Sequence, residues 1–404
     1  MSFDIPAQYY LYLSIPPTCA VLGYVTNWLA IQMSFYPLKF VGIPPILGWQ
    51  GTVPRNARRM ALRGLDIVRN KLIHDSQLFE GLSPEELAVR LEGPLRPVFS
   101  DMTEQFGKAL LGPVWSVAPG AVRRAVSELL QRRGMKLARS TMESIQQQIL
   151  PDFDAKPVVL QNLTGKNVAN LVELCVRTGG PELKVIIRSG LYLGFVLGLA
   201  QTVLWHFYGE PWILPAIGVV VGYSTNWIAL RMILYPREER SFIFFRYQGM
   251  FHRRRDQVAD AYASMLSEKV LPSEDLVAAL TGGELGQRIQ AQMREDINRA
   301  LDEEAATLRA LCFFSPFAPD YDAARELILA ESERMLPAAL DEVSTYVEDN
   351  INLEERFAGR IKELAPPDYE NILRDSFRDD EHLLFMLGGF IGMIIGFLQI
   401  PILS

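Results

Sequence analysis

No lysine or arginine occurs before Lys39, so the apolar opening of this 404-residue chain lacks the charged n-region of a secretory signal. Cysteine is scarce too: Cys19, Cys175 and Cys312 are odd in number, far apart and never spaced C-x-x-C. That argues against a disulfide framework or a zinc site and suits a reducing compartment. Four histidines (His74, His206, His252, His382) show neither H-x-x-x-H nor H-E-x-x-H spacing. The P-loop, the G-x-S-x-G elbow and the dinucleotide fingerprint are also missing. The paired carboxylates of "DFDAKP" and "DDEH" read as solvated surface. No motif therefore speaks for an enzyme, a metal or a cofactor. The net charge of −7 and the lack of a reader motif speak against nucleic acid as a partner.

Apolar residues, by contrast, are abundant and clustered. They make up 49% of the chain and concentrate in four windows, 8–35, 187–207, 212–235 and 383–403. Each window is near the ~20 residues that cross a ~30 Å hydrocarbon core. Of Asp, Glu, Lys and Arg, only Arg188 and Arg231 fall within them, both near one end where a long side chain can snorkel, which weakens an ion-coupled pump. The link "HFYGEPW" has no Lys or Arg, whereas Lys39, Arg55, Arg58, Arg59 and Arg63 follow the first window. Lys184 and Arg188 open the second, and Arg237, Arg240, Arg246 and Arg253 to Arg255 follow the third. The positive-inside rule then predicts both termini outside and two long segments in the cytoplasm.

The chain also repeats itself. "GYVTNWLAIQMSFYP" at 23–37 and "GYSTNWIALRMILYP" at 222–236 share nine of fifteen positions. With the offset at 198, Gln50-Gly51 meets Gln248-Gly249, "ELAVRL" meets "ELGQRI", and Gln201 meets Gln399. A match that starts and ends in register predicts one unit used twice in parallel orientation. The fold class expected is an all-α integral membrane protein. It is a tandem duplication of membrane helix, helical cytoplasmic lobe and membrane helix, with four membrane helices in all. The expected boundaries are helix 1–36, lobe 37–185, helix 186–208, helix 211–235, lobe 236–381 and helix 383–403.

Three-to-four spacing predicts helices over 57–73, 117–150 and the segment from 285 onward. Ser83-Pro84-Glu85-Glu86 reads as a capping box with proline at the first helical position, and Thr281 to Glu284 has the same spacing. Pro16 and Pro215, at matching positions, are expected near helix starts. Segment 37–185 holds 20 Lys and Arg against 14 Asp and Glu, while 237–381 holds 18 against 31. Either this is surface drift after duplication, or the oppositely charged halves attract, in which case high salt would loosen them.

Within the apolar runs, Thr26, Asn27, Thr225 and Asn226 form a candidate intramembrane polar site. An unpaired amide in hydrocarbon costs several kcal/mol, so each asparagine should face protein or water. Gly190, Gly194 and Gly198 share one helix face, as do Gly388, Gly392 and Gly396. Such series let another backbone approach closely and should receive the helices bearing the asparagines. Arg55, Arg58, Arg59, Arg253, Arg254 and Arg255 are candidate contacts for anionic lipid, with topological anchoring as the plainer reading.

Several of these residues carry a family resemblance. "GYVTNWLAIQMSFYPLKFVGIPPILGWQGTVPRNARRMA" and "PELKVIIRSGLYLGFVLGLAQ" resemble the opening and closing signatures of domain-of-unknown-function family 445, bacterial inner-membrane proteins. The shared positions are Gly23, Thr26, Asn27, Ala30, Tyr36-Pro37, Gly51 to Pro54, Glu182-Leu183, the three glycines and Gln201. In the second half His252 replaces the turn proline and Asp380 takes the place of Glu182. The resemblance implies a multi-pass protein of the bacterial inner membrane and supplies no activity. The amphipathic helices of the lobes bury their apolar faces in a bundle or turn some of them to lipid. Lying close to a basic inner-leaflet surface, they favour a non-enzymatic, membrane-organising or lipid-handling role, with a small-solute carrier or channel as the alternative. The expected partners are membrane lipids and further copies in a homo-oligomer; no cofactor is expected.

Overall fold

The chain opens with helix α1 (Ala7–Phe35) and turns at a cis Tyr36–Pro37 peptide into a hairpin, β1 (Val41–Ile43) with β2 (Leu47–Trp49). Gly42 sits at φ +139, a region open mainly to glycine, and Gly48 leaves room for the Phe40 ring to lie against the strand. Next come α2 (Thr52–Arg55) and α3 (Ala57–Ile67), which runs into a π turn at Val68–Leu72. Helices α4 (Pro84–Leu111), α5 (Pro113–Val117), α6 (Gly120–Gln148) and α7 (Lys156–Leu163) lead into the long α8 (Val168–Tyr208) and then α9 (Ile213–Leu234). After α9 the same moves recur: cis Tyr235–Pro236, a hairpin of β3 (Arg240–Ser241) and β4 (Arg246–Tyr247), α10 (Met250–Arg253), and α11 (Arg255–Met265) with a π turn at Leu266–Val270. The remaining helices are α12 (Ser273–Thr281), α13 (Gly283–Phe313), α14 (Leu353–Glu363), α15 (Pro366–Phe377) and α16 (Glu381–Leu403). This computed structural model describes residues 7–43, 47–79, 81–241, 246–313, 325–331, 334, 342, 345–346, 352–377 and 381–403.

The helical reading of the sequence holds, and the two hairpins are its departures. Ser83 caps α4 by accepting from the Glu86 amide at 3.3 Å, with Pro84 at the first position. Thr281 differs from expectation. It ends α12 with its hydroxyl donating to the Val277 carbonyl at 3.0 Å, and α13 starts two residues on. Gly282-Gly283, the latter at φ +60, supplies the break that the capping pattern had suggested. Pro16 also differs, lying well inside α1, where its Cα packs near Gly198 of α8. Proline removes one backbone bond from a helix interior, and here the neighbouring helix holds the chain on course.

By length and composition two helices could cross a membrane, residues 165–208 and Ile213–Leu234; Phe385–Pro401 is a shorter apolar stretch. Helix α1 is not among them, its run being diluted by Ser14, Pro16, Pro17, Thr18, Thr26 and Asn27. These four helices belong to one compact unit, made of 1–73, 159–270 and 354–404. In it α1 packs along α8 and α9 along α16, and α8 also meets α9. Each half lends a helix to the other: α3 packs on α15, and α11 packs on α8.

The second unit comprises 74–158 and 271–353, so each unit takes residues from both halves of the chain. Here α4 packs on α6, and α13 on α6 and α12. Leu87 and Leu91 bury against Tyr346, whose hydroxyl donates to Glu86 at 2.9 Å. Trp115 is buried beside Gly107 and donates its Nε1 proton to Glu104 at 3.0 Å, which holds that carboxyl below its usual range. The Asp75 carboxylate accepts the Ala155 amide at 2.9 Å, and Phe79 meets Phe153 edge-on.

Candidate functional site

The helix pairs are joined by glycine and asparagine. A Cβ added at Gly190 would collide with the carbonyl of Gly23, and one at Gly194 with the carbonyl of Cys19. At Gly198 it would meet Pro16 and Cys19 at 2.8 Å. On the α9–α16 seam the corresponding collisions are Gly388 with Asn226 and Gly222, Gly392 with Gly218, and Gly396 with Leu214 and Pro215. Backbone therefore lies on backbone along both seams, which only residues without a side chain permit.

Asn27 is fully buried and donates its Nδ2 proton to the Ile186 carbonyl of α8 at 2.7 Å. The Ser189 hydroxyl donates to the same oxygen at 2.8 Å. Asn226 is buried with its amide against Gly388. Thr26 and Thr225 bond back to Gly23 and Gly222 at 3.1 and 3.2 Å, satisfying their hydroxyls within their own helices. Asn27 Oδ1 has no hydrogen-bond partner among the described residues. Nearer the other end of these helices, Gln201 donates to Gln399 at 3.4 Å and accepts from the Cys19 thiol at 3.2 Å. All of these polar groups point inward. Val21, Trp28, Tyr192, Val196, Phe207, Val220, Phe390 and Leu398 are exposed on the outer surface of the same helices.

A second cluster gathers where α8, α9, α10 and α15 meet. Glu370 is wholly buried, accepting from Arg237 Nε at 2.6 Å and from the Tyr235 hydroxyl at 3.1 Å, which raises the Arg237 pKa further. Glu182 on α8, also buried, takes Arg254 Nη1 on one oxygen at 2.8 Å; the other oxygen has no partner among the described residues. Tyr369 stacks on Phe251, lies under the Arg255 guanidinium at 5.1 Å and donates to the Phe251 carbonyl at 3.2 Å. Burial, and then the nearby Glu182 charge, push its phenol up. His252 is buried beside it, and burial lowers its pKa, with Arg237 and Arg255 adding to the effect and Glu370 opposing it. Among the described residues no three His, Cys, Asp or Glu are placed to hold a metal. The cluster stores charge and keeps one imidazole neutral, and it presents no assembled nucleophile and base.

The six arginines divide between two settings. Arg55, Arg58, Arg59 and Arg253 are exposed. Arg254 is engaged with Glu182, and Arg255 donates to the Leu364 carbonyl and, at 3.2 Å, to that of Ile361. Asp380 lies outside the described residues. Sequence reasoning passed over Glu370, Tyr369 and the burial of Glu182. The signal was available in the repeat: at the 198-residue offset, Phe251, His252, Arg255, Tyr369 and Glu370 stand opposite Val53, Pro54, Ala57, Leu171 and Val172. Those five are all buried, so one half packs with hydrocarbon where the other places ionisable groups.

The chain is similar along nearly its whole length to curated proteins named for a membrane location. A UPF0754 membrane protein of Microcystis aeruginosa is 22% identical, covering 96% of both chains. One of Thermosynechococcus vestitus is 24% identical, covering 98% of this chain and 97% of the relative. One of Synechococcus elongatus is 22% identical, covering 96% of each. No family model matches the chain, and no solved structure does.

Proposed function

We propose that this chain is a multi-pass protein of the bacterial inner membrane, without enzymatic activity, that organises the membrane or handles its lipids. Its partners are lipids and further copies of itself. Four helices (α1, α8, α9 and α16) span the bilayer as two copies of one ancestral unit, with termini outside and the long intervening segments in the cytoplasm. The observation that carries the embedding is the inside-out distribution of side chains. Asn27, Asn226, Gln201 and Gln399 are interior, while Trp28, Tyr192, Phe207 and Leu398 face out. In water that arrangement exposes apolar surface needlessly; in hydrocarbon it is required. The duplication is supported by paired constructions: Gly51 and Gly249 each bond the carbonyl of a cis proline, at 3.0 and 2.9 Å, and each lies against the end of the preceding helix. The names of the relatives and the family-445 signature residues agree with membrane placement.

The backbone-to-backbone seams favour a rigid anchor over a carrier. A small-solute carrier or channel is the second reading, favoured by Asn27 Oδ1, which is buried without a partner among the described residues. Lipid analysis of the purified protein against solute flux in proteoliposomes separates the two. Bound phospholipid without flux is the expected result; flux without retained lipid overturns it.

A further inference from the structure

The two hairpins are small, and neither is explained by the helix seams. A two-stranded hairpin is marginal in water by itself, yet the first is fastened to the helix it follows and both are tied to the turn that precedes them. Trp49 Nε1 donates to the Met33 carbonyl of α1 at 3.1 Å, and Gln50 donates to the Leu38 carbonyl at 2.9 Å. Gln248 repeats the latter bond to the Arg237 carbonyl at 3.0 Å. In the first hairpin Val41 is 62% and Ile43 74% exposed, with Phe40 exposed beside them. In the second, the sequence between the strands is Phe242-Ile243-Phe244-Phe245. Exposed cations flank both: Lys39 beside the first, Arg240 and Arg246 in the second.

We infer that the β1–β2 hairpin docks into the headgroup region of the bilayer crossed by α1, with the phospholipid surface as its partner. Apolar side chains flanked by cations match that region, where acyl chains end and anionic phosphates begin. The patch continues the outward apolar face of α1, represented by Val25 and Trp28, past the helix end. A corner of the same construction follows α9, so two such contacts would brace the bundle from one leaflet. The inference rests on the membrane reading above, and its test keeps the two apart.

The full-length chain, with Cys19, Cys175 and Cys312 replaced by alanine, is reconstituted in nanodiscs of phosphatidylethanolamine and phosphatidylglycerol. Single spin labels are placed through Ile43→Cys, Val41→Cys, Phe195→Cys on the outer face of α8, and Arg132→Cys on exposed α6. Collision with oxygen, which concentrates in lipid, is compared with collision with a water-soluble nickel chelate. The expected result is a several-fold oxygen preference at 41 and 43, matching 195 and opposite to 132. Water-like labels at 41 and 43 beside a lipid-like 195 overturn the hairpin contact alone. A water-like 195 overturns the membrane reading with it. Labels at 41 and 43 shielded from both relaxants place a protein surface there, such as a second copy, and also overturn the inference.

Discussion

At the scale of single residues, burial is the largest influence on the protonation of His252. Its pKa lies below the ordinary histidine value in the folded chain, so it stays neutral there while the unfolded chain takes up a proton first. The stability that depends on neutral His252 is therefore complete above the unfolded pKa of about 6.5 and is lost as pH falls through the window below it. Melting of the detergent-solubilised protein should drop between about pH 7.5 and 5.5. His252→Gln, which cannot charge, should flatten that dependence; an unchanged slope would contradict the assignment. Asn27 makes a different kind of contribution. Its bond to the Ile186 carbonyl ties α1 to α8, and under the proposed membrane placement such an interhelical bond is worth roughly 0.5–2 kcal/mol. Asn27→Leu also overfills a fully buried position, so its melting temperature in detergent should fall at least as far as that of Asn27→Ala.

At the scale of elements, the two seams are held by shape more than by any single bond. Gly190 and Gly23 touch through their backbones, as do Gly392 and Gly218, and a side chain at either place must push the helices apart. Overpacking a tight interior costs about 1–3 kcal/mol, occasionally more. Gly194→Leu and Gly392→Leu should each convert a detergent-stable monodisperse species into one that aggregates at lower temperature on size exclusion. Wild-type elution and melting for both would remove the seam as a stabilising element. The glycine faces were legible in the sequence because a four-residue period needs no knowledge of the partner. So was the α4 cap, since Ser83-Pro84-Glu85-Glu86 acts locally. The end of α12 was not, because Thr281 obeys a capping pattern while its hydroxyl is drawn back to Val277. The buried group around Glu370 could be read only through the repeat, which marks ionisable residues opposite hydrocarbon; no local spacing rule links members drawn from 182, 237, 252, 254, 255 and 369–370. The hairpins escaped because strands of two and three residues are too short for alternation to register.

At the scale of the whole chain, charge divides between the compact units about as sharply as between the two halves. The unit of 74–158 and 271–353 carries 16 Lys and Arg against 28 Asp and Glu, a net −12. The unit holding α1, α8, α9 and α16 carries 24 against 19, a net +5. The cationic unit is thus the one that presents the exposed Arg55, Arg58, Arg59 and Arg253, as the proposed contact with anionic lipid requires. The acidic unit has the opposite problem. Its described ion pairs, such as Arg288 with Asp152 at 2.8 Å and Arg139 with Glu85, are largely exposed, and exposed pairs contribute little. The excess of carboxylates therefore dominates its field, and self-repulsion works against its compact state. Salt should stabilise this unit, contrary to the loosening expected from attraction between oppositely charged halves. Raising ionic strength from about 0.05 M to about 0.5 M shortens the screening length from roughly 14 Å to roughly 4 Å. Backbone amides of α4, α6 and α13 should then exchange with deuterium more slowly, while those of α8 and α9 change little. Faster exchange in α4, α6 and α13 at high salt would show that attraction between the chain's halves, not repulsion within this unit, governs its stability.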